Sequence, residues 1–197
     1  MIEKIKFLFA QKNFMKYFKN TSWLFFEKIL RMIVALFIGV WVARYLGPEK
    51  FGIFSYAQSF VALFISFATL GLDDLIIREL VKDESRAERL LGTSFFLKIF
   101  GAISMLFILV IALQFTSNDY YTKGLIFIIA SASIFQSFNV VDFYFQSKVM
   151  SKYIVYVNVI SLLLSSIVKI TLIIYNAVLE AFVWVVFFDS IILAMGY

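Results

Sequence analysis

A lone ammonium inside an otherwise oily run is the first group in this chain that could do chemistry. In NVISLLLSSIVKITLIIY, residues 158–175, Lys169 is the one charge among Leu, Ile, Val and small hydroxyl residues. A charge at the centre of a bilayer costs at least about 2.5–3.5 kcal/mol. At about 100° per residue, Asn158, Ser161, Ser165, Lys169 and Asn176 fall on one helix face. Ser55, Gln58, Ser59, Ala62, Ser66, Thr69 and then Asp73 form a second stripe, with Phe60, Phe64 and Phe67 on the opposite, lipid-facing side. Ser94 and Lys98 share a side with Gly101 and Ala112. Asn139, Asp142 and Gln146 share another, and Lys28 and Arg31 stand near one end of the first apolar segment. Cations among hydroxyls and amides suit one task above others, the holding of an anion.

Two readings compete for these stripes. Ser, Thr, Asn and Gln can simply hydrogen-bond neighbouring helices, while Lys169, only about 9 Å of helix rise from the end of its segment, snorkels to the interface. Alternatively the stripes converge on a hydrated cavity whose cations hold an anionic substrate. A helix in lipid needs no polar side chains at all, and two segments carry several in register, which favours the cavity. Ala35, Gly39 and Ala43, spaced by four, would let another helix approach the first segment closely.

Other chemistries are poorly served. The chain has no Cys and no His, so thiolates, disulfides, His-based metal sites and Ser-His-Asp catalysis drop out. No Gly-rich phosphate loop and no metal-ligand spacing occurs, so neither an enzyme nor a cofactor is expected.

The elements that position these residues follow from composition. With 62% hydrophobic and 16% charged residues and a single proline, the chain departs from soluble averages of about 45–50% and 25%. It reads as an all-α polytopic membrane protein. Spans of roughly 20 apolar residues are expected at 22–43, 52–72, 94–114, 124–145, 154–175 and 178–196, together a transmembrane lobe over 22–197. Residues 1–21 form a basic, interfacial N-terminus with Lys4, Lys6, Lys12, Lys16 and Lys19. It reads as a retained anchor, since no A-x-A-like cleavage site follows, and its lysines serve topology rather than nucleic acid. Lys and Arg number 14 on one side, three (Arg44, Lys50, Lys123) on the other, and Lys169 in between. The bias puts the N-terminus in the cytoplasm. The loop GLDDLIIRELVKDESRAERLLG is expected as one surface helix, with Glu79 and Asp83 pairing with Lys82 and Arg86.

One stretch is more specific. VARYLGPEKFGIFSYAQSFVALFISFATLGLDDLIIREL, Val42 to Leu80, has a helix-ending Gly47-Pro48, a wet Glu49-Lys50 and Gly52 at re-entry. The pattern A-R-Y-L-G-P-E-x-F-G, a span opening with aromatic and Ser/Gln residues, and L-G-L-D at its end closely resembles the polysaccharide-synthesis flippases, the O-antigen and related exporters. The motif match covers residues 42–80, and span order and loop length agree over the whole chain.

The resemblance implies one lobe of a twelve-or-more-helix exporter in the multidrug/oligosaccharidyl-lipid/polysaccharide superfamily. Such a protein moves undecaprenyl-pyrophosphate-linked oligosaccharides between leaflets of the bacterial inner membrane. On that reading Lys28, Arg31, Arg78, Lys98 and Lys169 are candidate cations for the pyrophosphate. Ser55, Gln58, Ser59, Ser66, Thr69, Asn158, Ser161 and Ser165 line the cavity, and Asp73 and Asp142 pair with cations or relay an ion. Implied partners are the lipid-linked oligosaccharide, membrane lipid, a second lobe or second copy, and other export proteins. Related peptidoglycan-precursor flippases tend to carry an Arg-Asp pair inside the first span. FIGVWVARYLG has Gly39 and Val40 there, which implies a different substrate or grip. Because the family generally has twelve or more spans, and the chain stops at SIILAMGY, it is expected to be the N-terminal lobe of a longer protein. Two further classes are weighed: an ion-coupled multidrug antiporter of the same superfamily, which needs membrane carboxylates where this chain offers Asp189, Glu180 and Asp142; and a membrane glycosyltransferase or polymerase, for which the outer connection TSNDYYTKG is short.

Overall fold

The computed structural model describes residues 12–197, with side chains from Met15 onward; Lys4, Lys6 and the side chain of Lys12 lie outside the described residues. Among those described, the chain is helical without a strand. Five helices are long and apolar enough to cross a membrane. This is a multi-pass membrane protein.

Helix α1, Lys12–Thr69, is a run of 58 residues broken at Gly47, where φ is 74° and ψ 171°. Glycine reaches this conformation at no steric cost, and Pro48 lacks the N–H that would continue the ladder. The two arms fold back on each other. Val34 and Gln58 line a single pocket, whereas an unbroken helix would hold them about 36 Å apart. The Tyr45 hydroxyl donates to the carbonyl oxygen of Ala177 at 2.8 Å, and the Asn118 amide donates to Tyr56 Oη at 2.9 Å. The Gly47 turn and the connections near 118 and 177 therefore share one end. At the opposite, basic end the Asn20 amide donates to Ser151 Oγ at 3.1 Å, its oxygen accepts from the Ser151 backbone N–H at 2.7 Å, and Lys148 pairs with Glu84. With the first run counted twice, the five runs make six antiparallel passes.

Helix α2, Asp73–Lys82, does not continue to Gly92 as one surface helix. It stops at Asp83, whose backbone is extended (φ −142°, ψ 93°), and a 3₁₀ turn, Glu84–Arg86, leads into α3, Ala87–Gln114. Asp83 accepts from the hydroxyl of Ser85 at 2.6 Å and its N–H at 3.1 Å. The Ser85 hydroxyl holds the Asp83 carboxyl below its ordinary pKa. A capping side chain that binds its own local backbone competes with helix continuation, and charge spacing alone does not reveal it. Arg86 pairs with Asp83 at 3.0 Å. Ile76 and Leu80 of α2 bury against Val140 and Phe143.

The fourth pass is not one α-helix. After α4, Tyr120–Ser131, the eight residues Ala132–Asn139 run as a 3₁₀ helix before α5, Val140–Ser147. Runs of 3₁₀ beyond three or four residues are uncommon and mark strain or a hinge. The hydroxyls of Ser133 and Ser137 are buried here and have no hydrogen-bond partner among the described residues. An orphaned buried hydroxyl costs about 1–3 kcal/mol, so Ser137→Ala is expected to raise stability by about 1 kcal/mol. Thermal unfolding in detergent micelles reads this directly, and a lower midpoint would mean the hydroxyl has a partner in the folded protein.

Helices α6, Lys152–Ile174, and α7, Leu179–Gly196, follow in the chain. In lipid, helix association relies on packing more than on hydrophobic expulsion, and the contacts show it. Ala57, Ala102 and Ala130 are fully buried. At Gly101 of α3 an added Cβ would lie 2.6 Å from the carbonyl oxygen of Ala68. The expected close approach at Gly39 is not there: nothing lies within 4 Å of a Cβ added at that position. The small residues of the first arm border open space instead.

Candidate functional site

A pocket of about 280 Å³ lies between the two arms of α1, α6 and α7. Ala35 and Gly39 leave the room, Gln58 and Ser166 contribute polar groups, and Lys169 is the ionisable residue in the lining among those described. Lys169 Nζ stands 3.8 Å from Asp189 Oδ2, and both side chains are about a quarter exposed. The same carboxylate oxygen accepts the Ser165 hydroxyl at 2.7 Å. Lys169 therefore faces a carboxylate across the α6–α7 seam. This is the usual fate of a membrane ammonium, since an isolated one is too costly to keep.

Arg31 forms the second charged group. Its Nε and Nη2 donate to Glu27 Oε1 at 2.8 and 2.6 Å. Glu27 is buried at 6% exposure, whereas the Arg31 side chain is about half exposed. Arg31 is thus paired within its own helix, whereas Lys169 is paired across a seam. Glu27 is not among the expected site residues, and Asp189 is expected only as a membrane carboxylate of the antiporter reading. Glu27 was legible, because it precedes Arg31 by four on a helix; Asp189 had no such signal, since its partner is on another helix.

The other expected cations do not join this group. Lys98 is buried at 2% exposure, bonded to Asp73 Oδ1 at 2.7 Å and lying 4.5 Å from the Phe143 ring centroid. A charge so enclosed needs a close partner, and this pair ties the start of α2 to α3, where no ligand can reach the ammonium. Lys28 and Arg78 are exposed and form no ion pair among the described residues. Asp142 accepts from Gln146 Nε2 at 2.9 Å and lies within electrostatic range of Glu27 and Lys98.

The polar stripes divide. On the second arm Gln58, Ser59 and Ser66 are exposed, with Ser55 and Thr69 half-buried. Phe60 and Phe64, expected to face lipid, pack instead against the core, and only Phe67 of the three is exposed. The lobe's interior is thus the aromatic side of this arm, and its polar side is turned outward. In α6 the reverse holds: Ser161 and Ser165 are buried, and Asn158 accepts from the Tyr197 hydroxyl at 3.0 Å.

The family model described as "Polysaccharide biosynthesis protein" matches residues 17–197. The chain belongs to that family. The protein thus has a role in polysaccharide biosynthesis or export. No curated protein and no solved structure matches it. Members of this polysaccharide family are generally transporter-like, which gives a setting for a charged pocket enclosed by membrane helices.

Proposed function

We propose that this protein is a flippase lobe that carries undecaprenyl-pyrophosphate-linked O-antigen or polysaccharide repeat units from the cytoplasmic to the periplasmic leaflet of the bacterial inner membrane. The family supports the pathway. The observation that carries the substrate class is Lys169, 3.8 Å from Asp189, in the lining of a pocket that also presents Gln58 and Ser166. A pyrophosphate supplies the negative charge such cations bind through charge-assisted hydrogen bonds. The exposed Gln58, Ser59 and Ser66 suit the hydroxyl groups of a sugar, and the apolar outer faces suit a polyprenyl tail left in lipid. The N-terminus sits in the cytoplasm by its charge bias, and the partner closing the polar side is a second six-helix lobe or a second copy. The multidrug antiporter reading is weaker because the deepest acid, Asp189, is already committed to Ser165 and Lys169. A polymerase is weaker still: the connection from Gln114 to Tyr120 is too short to hold a reaction site.

The test is a cysteine accessibility scan, direct because the chain has no native cysteine. Cysteines at Ser59, Ser66 and Lys169 are expected to react with a membrane-impermeant thiol reagent, and one at Phe107, exposed on the apolar face, is expected not to. Silence at all three polar positions would make the stripes packing surfaces and remove the cavity.

A further inference from the structure

We propose that Asp189 is a built-in competitor for the substrate's anion at Lys169, a specificity-determining residue that holds the ammonium between substrates and reclaims it to drive release. This rests on the anionic-substrate reading above and deepens it. Among the described residues, three cation–carboxylate pairs have a member inside an expected span, and they are not alike. Arg31–Glu27 closes at 2.6 Å and Lys98–Asp73 at 2.7 Å, both hydrogen-bonded, whereas Lys169–Asp189 stays at 3.8 Å.

The slack has a visible cause. Ser165, one turn before Lys169 on α6, donates its hydroxyl to Asp189 Oδ2 at 2.7 Å, and so fixes the carboxylate near the ammonium but short of contact. Lys169 Nζ comes no nearer to Asp189 than 3.8 Å, beyond a short hydrogen bond, and its side chain lines the pocket.

An ammonium at this depth always needs one counter-charge. Asp189 serves while no anion is bound. A phosphate entering past Gln58 can accept hydrogen bonds from the ammonium, since no short bond to Asp189 must first be broken. When it leaves, Asp189 prevents the cost of a bare charge, which keeps binding weak enough for turnover. A fully exposed cation would bind the anion and hold it; one sealed like Lys98 would never see it. Specificity then arises as a difference between two anions competing for one cation.

The test is isothermal titration of inorganic pyrophosphate into the purified chain in phosphatidylcholine nanodiscs. Asp189→Asn removes the competitor and is expected to tighten binding about tenfold, mostly through slower dissociation. Ser165→Ala releases the carboxylate to close on Lys169 and is expected to weaken binding about threefold. These opposite signs are the signature, because general damage to the site would weaken both. Unchanged or weaker binding in Asp189→Asn, or wild-type affinity in Ser165→Ala, overturns the proposal. If Asp189→Asn fails to fold, Asp189→Ser, which also removes the carboxylate, is titrated in its place, with tighter binding again expected and unchanged or weaker binding overturning the proposal. A lipid-linked oligosaccharide flipping assay separates the two levels. Loss of flipping in Lys169→Ala together with wild-type pyrophosphate affinity in Asp189→Asn and Ser165→Ala sinks the competitor and leaves the flippase. No pyrophosphate binding by the wild type, with normal flipping in Lys169→Ala, sinks both.

Discussion

Lys169→Ala is expected to cut export of the lipid-linked glycan by about ten- to a hundredfold, the worth of one charge-assisted contact of about 1.5–3 kcal/mol, while insertion into the membrane stays intact. The substitution removes an ammonium whose ion-pair partner among the described residues is held at 3.8 Å, so little folded structure depends on it. Asp189 keeps its Ser165 hydrogen bond at 2.7 Å. Surface polysaccharide and protein abundance in membranes, measured together, check the result, and normal polysaccharide at normal abundance would end the cationic-cavity idea. Arg31→Ala is expected to impair export as well, but for two mixed reasons. Glu27 is buried and would lose the partner that neutralises it, a change that destabilises strongly when a charge is left bare. The double variant Glu27→Gln with Arg31→Ala removes both charges at once. It is expected to recover abundance without recovering export, which separates the folding role of the pair from its binding role.

Gly101→Leu is expected to prevent assembly of the lobe, and Gly101→Ala to cost about 1–3 kcal/mol by overpacking. A Cβ there meets the backbone oxygens of Ala68 at 2.6 Å and Phe67 at 3.0 Å, and backbone cannot swing aside as a long side chain can. Gly39→Ala is the internal control. It faces open space inside a helix, where alanine gains up to about 1 kcal/mol in propensity. Thermal unfolding and size-exclusion profiles in detergent read both, with opposite signs expected. Equal behaviour of the two variants would mean that the second arm of α1 does not cross α3 at Gly101.

The contrast between these glycines marks a boundary of sequence reading. Both sit in apolar segments with small neighbours, and nothing local distinguishes the one at a crossing from the one beside a pocket. The polar stripe of the second arm shows the same limit from another side. Its periodicity separates Gln58, Ser59 and Ser66 from Phe60 and Phe64 correctly, yet periodicity is indifferent to which face meets the other helices. Here the aromatic face does.

Local patterns determined the spans, the break at Gly47 and the family, since hydropathy sums over neighbours and a Gly-Pro pair acts on its own backbone. The Arg31–Glu27 pair was also within reach of helix spacing. Tertiary structure alone decided that Lys98 is sealed by Asp73 and Phe143, that Lys169 answers to Asp189, and that Ser133 and Ser137 sit in a 3₁₀ segment without partners among the described residues. The physical reason is common to all three. A charge or hydroxyl in the membrane takes its energy from what lies across the helix seam, and the residue across the seam is set by how the passes pack.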